Sequence, residues 1–497
     1  MNPVHSVLLV VMVFGVGCAG LRTRATCPAE GGKPWREVKS THFRVQTNLS
    51  TEAAEKTALE LEKFRRALLL AWDNEFDPPG EVEAIILRSP DQLEEFTDAR
   101  IAGFASRGEN GPLLVMSGDS FLMGESSADQ RIQAHELAHY LSSFVLLRQP
   151  RWIAEGFASY LESLYFKGAS AEVILGRPVR WMLGYVRAHG WMSLEELWAW
   201  QTINGMSESD LRRHYASSWL WVHYLMNVHG EQFADFQGRL ARAEEPRRAF
   251  EASFQGVKDL AGGLRTYVDT GRYAILTIPL PEVPSKVETR ELDGAEVHAI
   301  RARLRLMTPG SATREQRRQQ AEQEIAQALR EDPTNVSAVY LQSMFSEDAS
   351  QRLALARELV KARPDSGKAW AMLADALRQS GGSAVEQEQA LLRAMELQPQ
   401  NATVLNNLAW FYVGSENPQK AFELAKRAVA LAPADAAILD TYAAVLFQSG
   451  HCPDSLRIQR RALDVLHEST PESQRRILQD RLDKYERACQ RTSGQKP

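Results

Sequence analysis

Four prolines in the last third of the chain, Pro333, Pro364, Pro399 and Pro433, recur at steps of 31, 35 and 34 residues. The segments between them are helical in pattern, and a proline ends a helix, so each step is expected to hold a helix pair closed by a turn. Helix pairs of this size bury their apolar faces only by stacking on their neighbours. That commits the region to an elongated solenoid.

The unit is clearest at Leu405, Leu408, Ala409, Tyr412, Ala421, Ala425, Ala428 and Pro433, and Ala443 and Ala462 repeat Ala409 and Ala428 one period later. Small residues let the two helices of a unit touch, and large ones fill the groove to the next unit. This pattern resembles the tetratricopeptide repeat position by position. Earlier units are degenerate: the first step is short, and Gly381-Gly382 adds a residue. An all-α repeat domain is expected over residues 291–490, closed by a capping helix near Ser473 to Ala488. Cys452 falls in the expected turn inside the last unit and Cys489 in the terminal helix. In an exported protein a bridge between them would clamp the end of the array; the alternative is three free thiols, Cys27 included.

Ahead of the repeats, alternate prolines at Pro279, Pro281 and Pro284 favour an extended linker, placed at residues 276–290. Residues 35–275 read as an α+β domain. Phe43 to Gln46, Val82 to Leu87 and Leu113 to Met116 carry strand patterns, Thr51 to Trp72 and Asp91 to Thr97 helical ones. Ser127 and Gln130 form a capping box for a helix reaching about Leu147, Pro150 opens a second helix from Trp152 to about Tyr165, and a third runs from about Leu211 to Val228.

Inside the capped helix stands His135-Glu136-Leu137-Ala138-His139. Residues four apart share a helical face, so both imidazoles can meet one metal ion, with Glu136 beside a water at that ion. Zinc suits two imidazoles plus a carboxylate with one position open, and a neighbouring carboxylate can take the water's proton and pass it to a leaving amine. The third ligand is expected from the next helix, where Glu155 in Arg151-Trp152-Ile153-Ala154-Glu155-Gly156 follows after a stretch long enough for an antiparallel return.

HELAHY followed by PRWIAEGFA resembles the gluzincin metallopeptidases, in particular the peptidase MA-like group. The fold class this implies is α+β, a compact zincin domain followed by an all-α tetratricopeptide solenoid. It implies zinc as cofactor, His135, His139 and Glu155 as its ligands, and Glu136 as general base. It also implies an edge strand above the metal helix that holds a peptide by β-augmentation, for which Leu113 to Met116 is placed. Members of the family have an Asp four residues after the third ligand; Ser159 stands here, and its hydroxyl can orient an imidazole without supplying charge. Aminopeptidase-type members carry a downstream Tyr as oxyanion donor. Tyr215, with His214 and His223 behind it, is the candidate, set against an ordinary packing role. Trp191, Trp198, Trp200, Trp219 and Trp221 read as core.

The apolar run from Val7 to Val16 is too short to span a bilayer and suits an export signal. With Gly17-Cys18-Ala19 it resembles a bacterial lipoprotein signal over residues 1–18, although Gly15 replaces the usual Leu and no Lys or Arg precedes it. The resemblance implies lipidation of Cys18 and an outer-membrane anchor facing the periplasm; the alternative is plain secretion with cleavage near Ala19. A net charge of −5 offers no field for nucleic acid. The expected function is a zinc peptidase acting on peptide or protein substrates, with a repeat domain recruiting a protein partner. The alternative is a non-catalytic envelope scaffold acting through its repeats.

Overall fold

The computed structural model describes residues 24–71, 77–97, 103–107, 112–118, 132–167, 172–202, 205–307, 313–466 and 470–493. The signal segment with Cys18, and the capping pair Ser127 and Gln130, lie outside the described residues.

The first elements are β1 (Arg36–Lys39), β2 (Phe43–Thr47), α1 (Thr51–Leu69), β3 (Val82–Leu87), α2 (Pro90–Glu94), β4 (Gly103–Arg107) and β5 (Pro112–Ser117). There follow α3 (Ile132–Val145), α4 (Arg151–Glu162), β6 (Tyr165–Phe166), β7 (Glu172–Leu175), α5 (Arg180–His189), α6 (Leu194–Trp198) and α7 (Glu208–Val228). Next come α8 (Gly230–Ala241), α9 (Pro246–Phe254), α10 (Leu260–Thr270), β8 (Leu276–Pro279) and β9 (Glu288–Glu291).

Six strands form a mixed sheet in the order β4-β5-β3-β2-β1-β9, with β2, β3 and β5 parallel and β4, β1 and β9 antiparallel to their neighbours. Side chains alternate along each strand, so the sheet has two apolar faces. Ala84, Ile86, Leu114 and Met116 join the core of α1, α3, α4 and α7. Ile85, Leu87, Leu113 and Val115 face the other way, against Trp35, Leu93, Phe96 and the buried face of α11 (Gly294–Met307), namely Val297, Ile300 and Leu304.

Two expectations about this region are overturned. Leu113 to Met116 is not an edge: β5 pairs with β3 on one side and β4 on the other, and among the described residues β4 is the outermost strand on that side. Residues 276–290 are not a free linker either. β8 pairs with β7, and β9 pairs with β1. Proline favours extended backbone, which is the conformation a strand needs, and here both ends of the segment found a sheet edge.

The repeat region continues with α12 (Arg314–Glu331), α13 (Val336–Phe345), α14 (Ala349–Ala362), α15 (Gly367–Ser380), α16 (Ala384–Leu397), α17 (Ala402–Gly414), α18 (Pro418–Leu431), α19 (Ala436–Gln448), α20 (Cys452–Asp464) and α21 (Glu472–Ser493). These are helix hairpins stacked in sequence, a tetratricopeptide-type solenoid. Each of the four recurring prolines sits inside a tight turn, and the residue two positions on, Asn335, Ser366, Asn401 or Asp435, donates its N–H back across it. The same residue caps the next helix with its side chain. Ala409, Ala428, Ala443 and Ala462 are fully buried where helices touch. The short first step is a short helix: α13 has 10 residues where α15 has 14. Cys452 opens α20 instead of lying in the turn, and it is disulfide-bonded to Cys489 of α21. At the far end Arg148, just after α3, pairs with Asp464 of α20 at 2.9 Å, so the array meets the sheet domain at two separate places.

Candidate metal centre

His135 and His139 project from one face of α3, and Glu155 reaches them from α4, which returns antiparallel after Pro150. The His135 and His139 Nε2 atoms lie 3.1 Å apart. Glu155 Oε2 is 3.5 Å from the first and 3.3 Å from the second. A tetrahedral zinc ion with bonds of about 2.0–2.1 Å to nitrogen and oxygen spaces its ligands about 3.3 Å apart. The three separations straddle that edge length, and Glu155 Oε2, buried, has no hydrogen-bond partner among the described residues. The donor set and its spacing therefore fit zinc. His139 keeps a quarter of its side chain exposed, which leaves the cluster open on one side.

The electrostatics also favour a cation. Burial pulls the His135 imidazole down, but Glu155 and Glu162 outweigh it and push the ring up to about 10. Burial pushes Glu155 up, and the two imidazoles, His139 foremost, hold it well below the usual carboxylate range instead.

Sequence reasoning missed Glu162. Its Oε2 lies 3.2 Å from His135 Nδ1, so it accepts the ring N–H and turns Nε2 toward the cluster. Glu162 stands seven residues after Glu155, two helical turns on along the same face, but that spacing alone does not tell a glutamate facing an imidazole from one facing water. Ser159, the residue expected to orient an imidazole, is fully buried, and its hydroxyl has no hydrogen-bond partner among the described residues. That corrects the expectation: the support comes from a carboxylate one turn further along.

Gly156 lets α4 approach α7. A Cβ there would lie 2.5 Å from the Ser218 carbonyl oxygen, so the residue after the third ligand must be glycine for the two helices to meet as they do. Tyr215 rides on α7, well inside the helix and not at its start; its ring centre is 6.5 Å from that of His135 and 5.7 Å from that of Trp200. Burial, with Glu155 and Glu136 adding to it, pushes the Tyr215 hydroxyl above its usual range and keeps it a proton donor. His214 is set apart against Trp200. His223 belongs to the core, with Tyr267 and Gly176 as its partners. Trp200, Trp219 and Trp221 are buried, whereas Trp191 and Trp198 pack on the core from its margin.

No family model and no curated protein matches the chain. Among solved structures it is similar to a thermophilic TPR protein of Thermus thermophilus, TTC0263, at 20% identity and TM-score 0.28, covering 34% of this chain and 91% of that one. It is similar to MamA protein at 16% identity and TM-score 0.27, with the same two coverages, 34% and 91%. The TPR domain of P58(IPK) aligns at 13% identity and TM-score 0.22 over 76% of this chain and 97% of that domain. Scores this low carry no argument, and the repeat architecture rests on the helix hairpins themselves.

Proposed function

We propose that the protein is a zinc-dependent peptidase of gluzincin type, exported and tethered through Cys18, whose solenoid recruits a protein partner or substrate. The observation that supports this best is the set of separations among His135, His139 and Glu155, which suits one tetrahedral ion. Bound there, zinc would act as a Lewis acid and make a water easier to deprotonate. Glu136, next to the first ligand on α3, takes that proton as general base and returns it to the departing amine. Glu162 keeps His135 Nε2 aimed at the ion. Tyr215 offers its hydroxyl proton to the developing oxyanion. An extended substrate pairs with the outer edge of β4, which has no strand beside it among the described residues.

The test separates metal from chemistry. Glu136→Gln keeps the size and the helix but removes the base, so peptide hydrolysis should fall about 100-fold or more while zinc content is unchanged. Equal turnover by the variant counts against the assignment, and so does a purified wild-type chain that holds no zinc.

A second reading, a binding scaffold, is favoured by a groove of about 570 Å³ on the repeats, lined by Asn406, Asn407, Trp410 and Arg378 among others. Asn406 Oδ1 is buried there without a hydrogen-bond partner among the described residues, which suits an incoming peptide amide. A zinc-loaded wild type inert toward a broad peptide library would favour this reading.

A further inference from the structure

A second group of ligand atoms lies where the N-terminal segment meets the first helix hairpin. The Cys27 thiol, a His298 ring nitrogen and a Glu331 carboxylate oxygen lie within 4.8 Å of one another. They come from three stretches of chain: the segment before β1, α11, and the last turn of α12. Cys27 is fully buried and His298 is 2% exposed, whereas Glu331 is at the surface and leaves a route to solvent. Gly294 makes room for the carboxylate, since a Cβ there would lie 2.0 Å from Glu331 Oε2.

His298 is held in a ligand's orientation. Its Nδ1 is 2.6 Å from Glu324 Oε2, and Arg301 holds the other oxygen of that carboxylate at 2.8 Å. A carboxylate that accepts from Nδ1–H leaves the Nε2 lone pair bare, as at protein zinc sites. The buried Nε2 has no hydrogen-bond partner among the described residues and faces Glu331 at 3.7 Å. The Cys27 thiol donates a long hydrogen bond, 3.9 Å, to the Gly294 carbonyl, a weak contact that it gives up on binding a metal.

We propose that Cys27, His298 and Glu331 bind a second zinc ion, with Glu324 as the positioning residue for His298. Thiolate, imidazole and carboxylate form a donor set that zinc accepts. Binding forms a sulfur–metal bond and releases the thiol proton to solvent, so no oxidant or reductant is involved. The ion would tie the N-terminal segment to the start of the solenoid.

The test uses the full chain carrying His135→Ala and His139→Ala, so that the first centre is silent, with cobalt(II) as probe. One cobalt per chain is expected, with a thiolate-to-cobalt charge-transfer band in the near ultraviolet. Cys27→Ser should abolish the band, and Glu324→Gln should weaken binding about 10- to 100-fold. The proposal is overturned by a parent chain without the band or by a band undiminished in Cys27→Ser. If Cys27→Ser does not fold, Glu331→Gln decides at an exposed position: at least tenfold weaker binding with unchanged circular dichroism is expected, and unchanged affinity overturns the site.

Discussion

His223 sits in the core among the rings of Tyr160, Trp219, Tyr267 and Tyr273. Nε2–H donates to the Gly176 carbonyl and Nδ1 accepts from the Tyr267 hydroxyl, which fixes a neutral tautomer. Burial pulls the ring down from 6.5 to about 4. Above pH 6.5 both folded and unfolded chains carry it neutral, and the full stability is present. As pH falls toward 4 the unfolded chain takes up a proton that the folded one refuses, so stability is lost across that window, by roughly 3 kcal/mol. Urea titrations at stepped pH should show this slope in the wild type and a flatter one in His223→Gln. Parallel slopes would mean that other groups govern the acid side. The same scale shows what a sequence can disclose. His135 and His139 are legible because four-residue spacing fixes a shared face, and Glu155 because it lies about one turn into the helix that returns after Pro150. Glu162 is not, because a glutamate at the end of an amphipathic helix has the same local signature whether it faces water or an imidazole.

At the scale of elements, local patterns found β2, β3 and β5 and most of the long helices, since burial periodicity is written within each segment. Strand order is not local. Nothing in Gly103 to Arg107 announces an edge strand, for two of its five residues are Gly and Ala and its pairing partner follows it in sequence. The terminal helix shows how an element with little apolar surface is held. Tyr485 stacks on Phe447 with ring centres 4.3 Å apart, Gln459 bridges Asp440 and the Leu478 carbonyl, and Cys452–Cys489 closes the end. A cross-link across 37 residues removes unfolded-state entropy equivalent to about 4 kcal/mol. Cys452→Ser should therefore speed amide exchange through α19 to α21 by several orders of magnitude while leaving the six-stranded sheet protected. Uniform loss of protection over the whole chain would show that the array's end and the sheet unfold as one unit.

The whole molecule is divided differently from its sequence. A proline-punctuated stretch followed by repeats reads as two domains on a tether, yet α11 is both the first helix of the solenoid and the cover of one sheet face. Its Arg303 pairs with buried Glu83 of β3 at 2.7 and 3.0 Å, and Arg301 reaches Glu95 near α2 at 3.1 Å. A chain ending at Val283 would lose β9 and α11 together. It would expose Ile85, Leu87, Leu113 and Val115 and leave Glu83 without its partner. Burying the Val297, Ile300 and Leu304 side chains alone contributes on the order of 5–8 kcal/mol, comparable to the whole stability of a typical domain. Removing one partner of a buried ion pair adds about 3–5 kcal/mol more. Such a chain should be insoluble or lack a cooperative unfolding transition. One ending after Glu331 keeps α11 packed between the sheet and α12, so it should fold and retain the His135, His139 and Glu155 centre, at the cost of Asp464 as a partner for Arg148 and of the Ala338 and Leu341 side chains that α13 lays on α11 and α12. Thermal unfolding and zinc content of the two chains decide it: a cooperative, zinc-loaded chain ending at Val283 would restore the tethered-domain picture and make α11 part of the solenoid alone.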